Sequence, residues 1–272
     1  MSRSTIAVLV LSAITLSACG SNPQKTSATG SGVQVSALDN PELGVVEFRP
    51  ASDKGRYSAW SLGGDYANYA AAQKFVDRMV DEHGFKRTYI NGLFTQIKRQ
   101  DGVLEIMNRP RASGPARPGS WTRYRNIFMT EQRMREGAQF MTTYRKELNR
   151  AYQQYGVPPE YITAIIGVET YYGGNIGKTP VLDALATIAF DYPRRSRYFT
   201  SELEQFLLMT REEGYDPRSP VGSYAGAMGL GQFMPSSFRR YAVDFDGNGK
   251  RDLWNPVDAI GSVANYFSAH GW

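Results

Sequence analysis

Along residues 161–172 the apolar side chains recur at helical spacing, and one acid shares their face. Ile166, Ile165 and Ile162 precede Glu169 by three, four and seven residues, so an α-helix sets the carboxylate beside them. Any fold that forms this helix must press an acid against hydrocarbon, which is costly unless the acid is partnered or has a task. Pro158-Pro159 predict the helix start and Gly173-Gly174 its stop. The partial negative charge at a helix C-terminus opposes ionisation, as does burial, so both raise the pKa. That is the condition of a general acid working near neutral pH. A core glutamate bonded to backbone, or paired with an arginine, fits the same spacing, and the rest of the chain has to discriminate.

Most of the body carries helical periodicity. Residues 69–83 place Phe75, Val76, Met79 and Val80 on one face and stop at Gly84. Residues 130–155 place Met134, Ala138, Met141, Leu148, Tyr152 and Tyr155 on another and stop at Gly156. Thr179-Pro180 read as the cap and first turn of a helix over 181–190. Ser201 and Glu204 have capping-box spacing ahead of 206–209, with Gly214 as the stop. Residues 101–121, rich in Arg, Pro and Gly, read as a long loop or irregular lobe. Strand signals are short and weak. The expectation is a mainly α (α+β) protein with at most a small sheet. Its 42% hydrophobic and 21% charged residues are those of an ordinary globular chain.

The N-terminus reads as a targeting signal over 1–18: Arg3, then an apolar stretch over 6–16 too short for a comfortable permanent span. It ends in Leu16-Ser17-Ala18-Cys19-Gly20, which looks like a bacterial lipobox with Cys19 as the lipidated residue. Cys19 is the only cysteine, so no internal disulfide can form and the core alone must hold the exported domain. Several acyl chains together give durable attachment. Residues 19–45 then read as the lipidated cysteine and a flexible tether rich in Ser, Thr, Gly, Asn and Gln. Residues 46–272 remain for the domain. Gly20 rather than an acid after the cysteine implies, by resemblance to known lipoproteins, the outer membrane facing the periplasm. The net charge of +5 favours polyanionic partners. For an exported lipoprotein these are anionic cell wall or lipid rather than nucleic acid.

Three segments carry chemistry. The first is Gly167-Val168-Glu169-Thr170-Tyr171-Tyr172-Gly173-Gly174. The second runs over 222–237, where glycines and alanines let backbone approach a ligand. There Ser223 and Gln232 offer hydrogen bonds, and Tyr224, Met228 and Phe233 offer faces suited to sugar rings. The third, from Asp244 to Asp252, matches the opening of an EF-hand loop. It has oxygen ligands at Asp244, Asp246 and Asn248 and a glycine, Gly249, at the sixth position. His83 and His270, the only histidines, show no ligand spacing for zinc.

In order and spacing these segments, with Tyr192-Pro193-Arg194-Arg195 and Trp254-Asn255-Pro256-Val257-Asp258-Ala259-Ile260, resemble the membrane-bound lytic murein transglycosylase B family from about Glu47 to Trp272. The resemblance implies a lysozyme-like core with an additional helical lobe and an EF-hand-like calcium loop. It implies cleavage of the bond between N-acetylmuramic acid and N-acetylglucosamine in peptidoglycan glycan strands, without water, leaving a 1,6-anhydromuramic end. Glu169 would then be acid and afterwards base. Ser223, Gln232, Tyr124 and Tyr266 would line the cleft, and Arg194 and Arg195 could meet stem-peptide carboxylates.

A structural Ca²⁺ would be held by Asp244, Asp246, Asn248, the Lys250 carbonyl and Asp258. The twelfth position, Asn255, lacks the customary glutamate, and three carboxylates imply moderate affinity. No organic cofactor is implied, and no feature identifies a partner among cell-wall synthesis or division proteins. The second segment contains no acid, which suits a one-carboxylate mechanism in which the substrate's N-acetyl group supports the cation. Asp183 and Asp191 could still fold close, although a solvent-facing or capping role fits Asp183. The family chain continues past Trp272 with a tail that completes the core, so the expectation is that this chain lacks that part. Two rival readings remain: a non-catalytic peptidoglycan-binding lipoprotein, and a lysozyme-type hydrolase with a second acid holding water.

Overall fold

Residues 55–110 and 118–272 are described by the computed structural model. The targeting segment, Cys19 and the tether lie outside them, as do residues 111–117. All the described residues belong to the larger of two units, Arg49–Trp272. Within the larger unit the chain runs through α1 (Ala70–Asp81), α2 (Arg87–Thr95), α3 (Asp101–Met107), α4 (Ser120–Phe128), α5 (Glu131–Thr143), α6 (Arg145–Tyr155) and α7 (Pro159–Thr170). There follow β1 (Thr179–Pro180), α8 (Val181–Asp191), α9 (Ser196–Glu213), β2 (Val221–Gly222), α10 (Pro235–Tyr241) and α11 (Pro256–Ala269). The two short strands pair antiparallel, Thr179 with Gly222 and Pro180 with Val221. Among the described residues no helix is long and apolar enough to cross a membrane.

The core is organised around α8. Val181 to Ala189 are all buried, as expected of a helix apolar on every side. It packs chiefly on α9, with α3 on another flank. Helix α10 crosses α9, and α11 lies against α6, α7 and α10. Prolines stand in the first turn of α7, α10 and α11, where a missing N–H costs nothing. Thr130 caps α5 through Arg133 N (3.2 Å), and Asn255 caps α11 through Val257 N (2.8 Å).

Several sequence expectations are corrected. Helix α7 stops at Thr170, not at the glycines: Tyr171 and Tyr172 turn left-handed (φ 55° and 56°), and Tyr171 N closes on the Gly167 carbonyl at 3.1 Å. The helix expected over 130–155 is two helices that part at Tyr144. Its buried stripe is Gly137, Phe140, Leu148 and Ala151, whereas Met134 and Tyr152 are each 51% exposed and Ala138 is exposed. The cause is tertiary. A Cβ on Gly137 would lie 2.5 Å from the Tyr172 hydroxyl, so α5 presents its small residue, not its methionine, to α7. Residues 101–121 contain α3 and the start of α4 rather than an uninterrupted loop. Thr179 lies in β1 instead of capping α8. Ser201 lies inside α9, which starts five residues earlier, and Glu204 reaches His83 (3.1 Å) and Arg78 (3.2 Å) instead of closing a cap.

Candidate active site

Glu169 is the penultimate residue of α7 and is half-buried. Ile162 and Ile166 on the same side are fully buried. Among the described residues the carboxyl makes no hydrogen bond or ion pair. Burial alone pushes its pKa up to about 7 from an ordinary 4.5. No other acid or base contributes to that shift. The group is therefore a solitary carboxyl that stays protonated into the neutral range, which is what proton donation requires.

The turn after Glu169 is stapled to the second motif. Thr170 is buried, and its hydroxyl reaches the Leu230 carbonyl (3.0 Å) and the Ile166 carbonyl (3.1 Å) while accepting Gly173 N (3.2 Å). Gln232 donates Nε2 to the Ile176 carbonyl (3.3 Å) and the Gly229 carbonyl (3.0 Å). Gly177 (φ +92°) passes so close to the Gly222 carbonyl that a Cβ would sit 2.0 Å from it. Gln232 is left-handed (φ 52°), a strained setting for a side-chain-bearing residue and one concentrated at functional sites. With both amide protons engaged, its Oε1 is left as an acceptor. Ser223 Oγ accepts the N–H groups of Ala225 (3.3 Å) and Ala227 (3.0 Å), which leaves its own proton for another acceptor. A small hairpin, Met228 paired with Phe233, holds this loop.

The third motif joins through the two residues that follow it. Leu230 N donates to the Leu253 carbonyl (2.8 Å), and Trp254 Nε1 to the Val221 carbonyl (3.2 Å). Asp244, Asp246 and buried Asp258 each bring one carboxylate oxygen within 4.8 Å of the others. Asp258 Oδ1 accepts the N–H of Phe245 (2.8 Å) and Asp246 (2.9 Å), and Oδ2 that of Asp252 (2.8 Å). Burial nonetheless raises the Asp258 pKa. At Asp244 burial works in the same direction, but the N–H groups of Gly249, Gly247 and Asn248 outweigh it and hold the carboxyl below its usual range. Asn248 Oδ1 accepts Lys250 N (2.9 Å). Asn255, where an EF-hand carries glutamate, donates to Asp246 Oδ2 (2.7 Å) and caps α11, so the closing acid comes from the first turn of that helix. Three converging oxygens with three carboxylate charges are a donor set that fits a hard divalent cation.

The remaining candidates fall elsewhere. Tyr266 of α11 stacks with His270 (4.1 Å) and meets Phe233 (5.5 Å) of the second motif. Tyr124 of α4 lies between Trp121 (6.2 Å) and Phe128 (5.2 Å). Arg194 and Arg195 occupy an exposed 3₁₀ turn, Pro193–Arg195, and the Arg195 guanidinium sits over Tyr198 (4.6 Å). Asp183 is not solvent-facing: it is 2% exposed and paired with Arg218 (3.3 Å). Burial raises its pKa, and the Arg218 charge opposes the shift. Asp191 bonds Tyr69 (2.9 Å) and Arg99 (3.1 Å). Neither acid acts on Glu169. Sequence reasoning passed over Thr170 and Arg133. Arg133 donates to the Gly167 carbonyl (2.8 Å) and lies 4.5 Å over the Tyr171 ring. A threonine beside an acid and an arginine on an exposed helix carry no signal of their own.

Comparison with known proteins finds relatives of the chain. Residues 67–272 match the family model described as the transglycosylase SLT domain. The chain is 48% identical over 264 residues to the membrane-bound lytic murein transglycosylase B of Escherichia coli, covering 95% of this chain and 70% of that protein. It is similar to the solved Escherichia coli lytic transglycosylase Slt35 in complex with bulgecin A, at 54% identity and TM-score 0.74, covering 82% of this chain and 69% of the other. The calcium complex of Slt35 matches at 53% identity and TM-score 0.73, with the same coverage. SltB3 of Pseudomonas aeruginosa, solved with NAG-anhNAM-pentapeptide, matches at 30% identity and TM-score 0.66 over 74% of this chain and 52% of that one.

Proposed function

The chain belongs to the lytic murein transglycosylases carrying an SLT domain, and we propose that Glu169 performs their bond cleavage as acid and then base. The protonated carboxyl gives its hydrogen to the glycosidic oxygen as the bond from C1 of N-acetylmuramic acid breaks, and N-acetylglucosamine leaves with that proton. The N-acetyl group supports the cationic sugar. The carboxylate then takes the proton of the C6 hydroxyl as O6 closes on C1. The acid is regenerated, a 1,6-anhydro ring forms, and no water is consumed. One observation carries this reading: a lone carboxyl with its pKa near 7 through burial alone. A hydrolase of the two-carboxylate type needs a second acid to hold water, and Asp183 and Asp191 are committed to other partners.

In this reading Ser223 and Gln232 hold acetamido and hydroxyl groups of the sugars, supported by the free proton of one and the free carbonyl of the other. Tyr266 and Tyr124 complete the cleft, and Arg194 and Arg195 meet stem-peptide carboxylates. The structure of SltB3 with a muropeptide supports the same substrate class here. Asp244, Asp246, Asn248, Lys250 and Asp258 would hold calcium, supported by the calcium complex of Slt35. Its two positive charges would offset most of the repulsion among the three carboxylates and fix the loop that abuts Leu230. The lipobox at Cys19 and the membrane-bound relative support an outer-membrane lipoprotein facing the periplasm. Its signal would span 1–18, its tether 19–45 and its catalytic domain 46–272. Digestion of purified peptidoglycan followed by mass spectrometry tests the chemistry. Anhydromuramic ends from the parent, and a loss of at least about 100-fold in Glu169→Gln, are expected. Reducing ends, or full turnover by the variant, would overturn the assignment.

A further inference from the structure

Between residues 106 and 130 lie five arginines, Arg109, Arg111, Arg117, Arg123 and Arg125, and no acid or lysine. Their charge equals the net +5 of the whole chain, so the other 26 basic and 26 acidic residues cancel. This stretch contains α4, which buries none of its residues. Trp121 is 68% exposed, and Ile127 and Met129 further along the same stretch are exposed as well. From Trp121 a ladder of flat groups leads inward. Tyr124 follows at 6.2 Å and Phe128 at 5.2 Å, and then the Arg133 guanidinium lies 5.5 Å from Phe128 and 4.5 Å from Tyr171. Tyr171 is two residues after Glu169. Arg133 spends one N–H on the Gly167 carbonyl and, among the described residues, makes no ion pair within 4.0 Å, although the Glu136 carboxyl one turn along α5 also lies against Tyr171.

We propose that this ladder is a subsite for the glycan strand beyond the scissile bond, in which Trp121 stacks on a saccharide and Arg133 pairs with a stem-peptide carboxylate. An exposed indole backed by two half-buried rings suits a sugar ring. A guanidinium that lies near two rings and spends one N–H on backbone has further N–H groups with which to meet a carboxylate. The excess of arginine in this stretch of sequence, Arg123 and Arg125 of α4 included, matches a polymer whose peptide branches are anionic. The ladder's continuity with the Glu169 turn favours the glycan over a lipid surface or a protein partner. The inference rests on the peptidoglycan reading of the site.

Its test is binding of the full chain, in a Glu169→Gln background, to insoluble peptidoglycan, either intact or stripped of stem peptides by an amidase. Trp121→Ala weakens binding to both forms by about tenfold. Arg133→Gln weakens binding to intact strands by a similar factor of about ten and leaves stripped strands unchanged, and Arg133→Lys retains part of the affinity for intact strands. Thermal melts matching the parent identify folded variants, and Arg133→Lys serves if Arg133→Gln does not fold. Unchanged binding by Trp121→Ala overturns the stacking role. Equal losses on both strand forms by the Arg133 variants overturn the carboxylate role. Anhydro products released by the Glu169→Gln parent would instead count against the catalytic reading, and the binding comparison would stand.

Discussion

Glu169 is costly to the fold in proportion to its use. Its pKa of about 7 in the folded state exceeds the ordinary 4.5, so the native protein holds a proton that the unfolded chain releases. Below about pH 4.5 both states are protonated and the difference vanishes. As pH rises to 7 the unfolded state ionises first and stability falls, and above 7 the loss is complete. Glu169→Gln removes this slope. At pH 8 the variant should be more stable than the parent by up to about 3 kcal/mol, and at pH 4 equal to it, as read by denaturant melts. A variant no more stable at pH 8 would mean the carboxyl is not desolvated. The acid step follows the same titration, so kcat/KM on soluble muropeptide strands should fall tenfold per pH unit above about 7. A rate flat to pH 9 would contradict the assigned acid.

At the scale of elements, the end of α7 decides where that carboxyl stands. Helix propensity and Pro159 make the start legible, and the apolar run makes the face legible. The stop was misplaced because Gly173-Gly174 are the residues that favour left-handed backbone, yet Tyr171 and Tyr172 adopt it. Burial of the Tyr172 ring against Gly137 and Gly167 and the Thr170 bonds to loop backbone offset the strain. Thr170→Val keeps the shape and leaves the Leu230 carbonyl and the Gly173 N–H without partners. It should destabilise by about 1–3 kcal/mol and lower kcat more than it raises KM. An unchanged melt would show that water replaces the hydroxyl. The same tertiary logic turned α5: a methionine stripe outranked glycine in the pattern, but only glycine admits the tyrosine.

At the scale of the molecule, the first motif, which starts 55 residues before the second and 77 before the third, meets them through the Thr170 hydroxyl on the Leu230 carbonyl and through Leu230 N on the Leu253 carbonyl just past the acidic loop. The acidic loop therefore bears on the Glu169 turn through one intermediate segment of loop. Adding calcium should raise the melting temperature of the parent by several degrees, on the order of 3 kcal/mol at about 100-fold over its dissociation constant. Asp258→Asn should abolish that increment. A calcium response that survives in the variant would remove Asp258 from the ligand set. Asp183 shows the opposite case, an acid expected at the surface that the central helix α8 carries inside, where Arg218 meets it. The apolar residues on every side of it carried the signal, since a helix without a polar face is enclosed.

What the sequence determined by itself was local and periodic: a helical chain, an acid on an apolar face, an oxygen-rich loop with its glycine, and a family signature in their order. Those depend on spacing along one segment, and spacing is written in the chain. The tertiary structure decided which acid stays alone, which tyrosines turn left-handed, which face of α5 is inside and which arginine stands beside the Glu169 turn. Each of these is a competition between groups distant in sequence for one volume, and only the packed chain settles who is excluded from it.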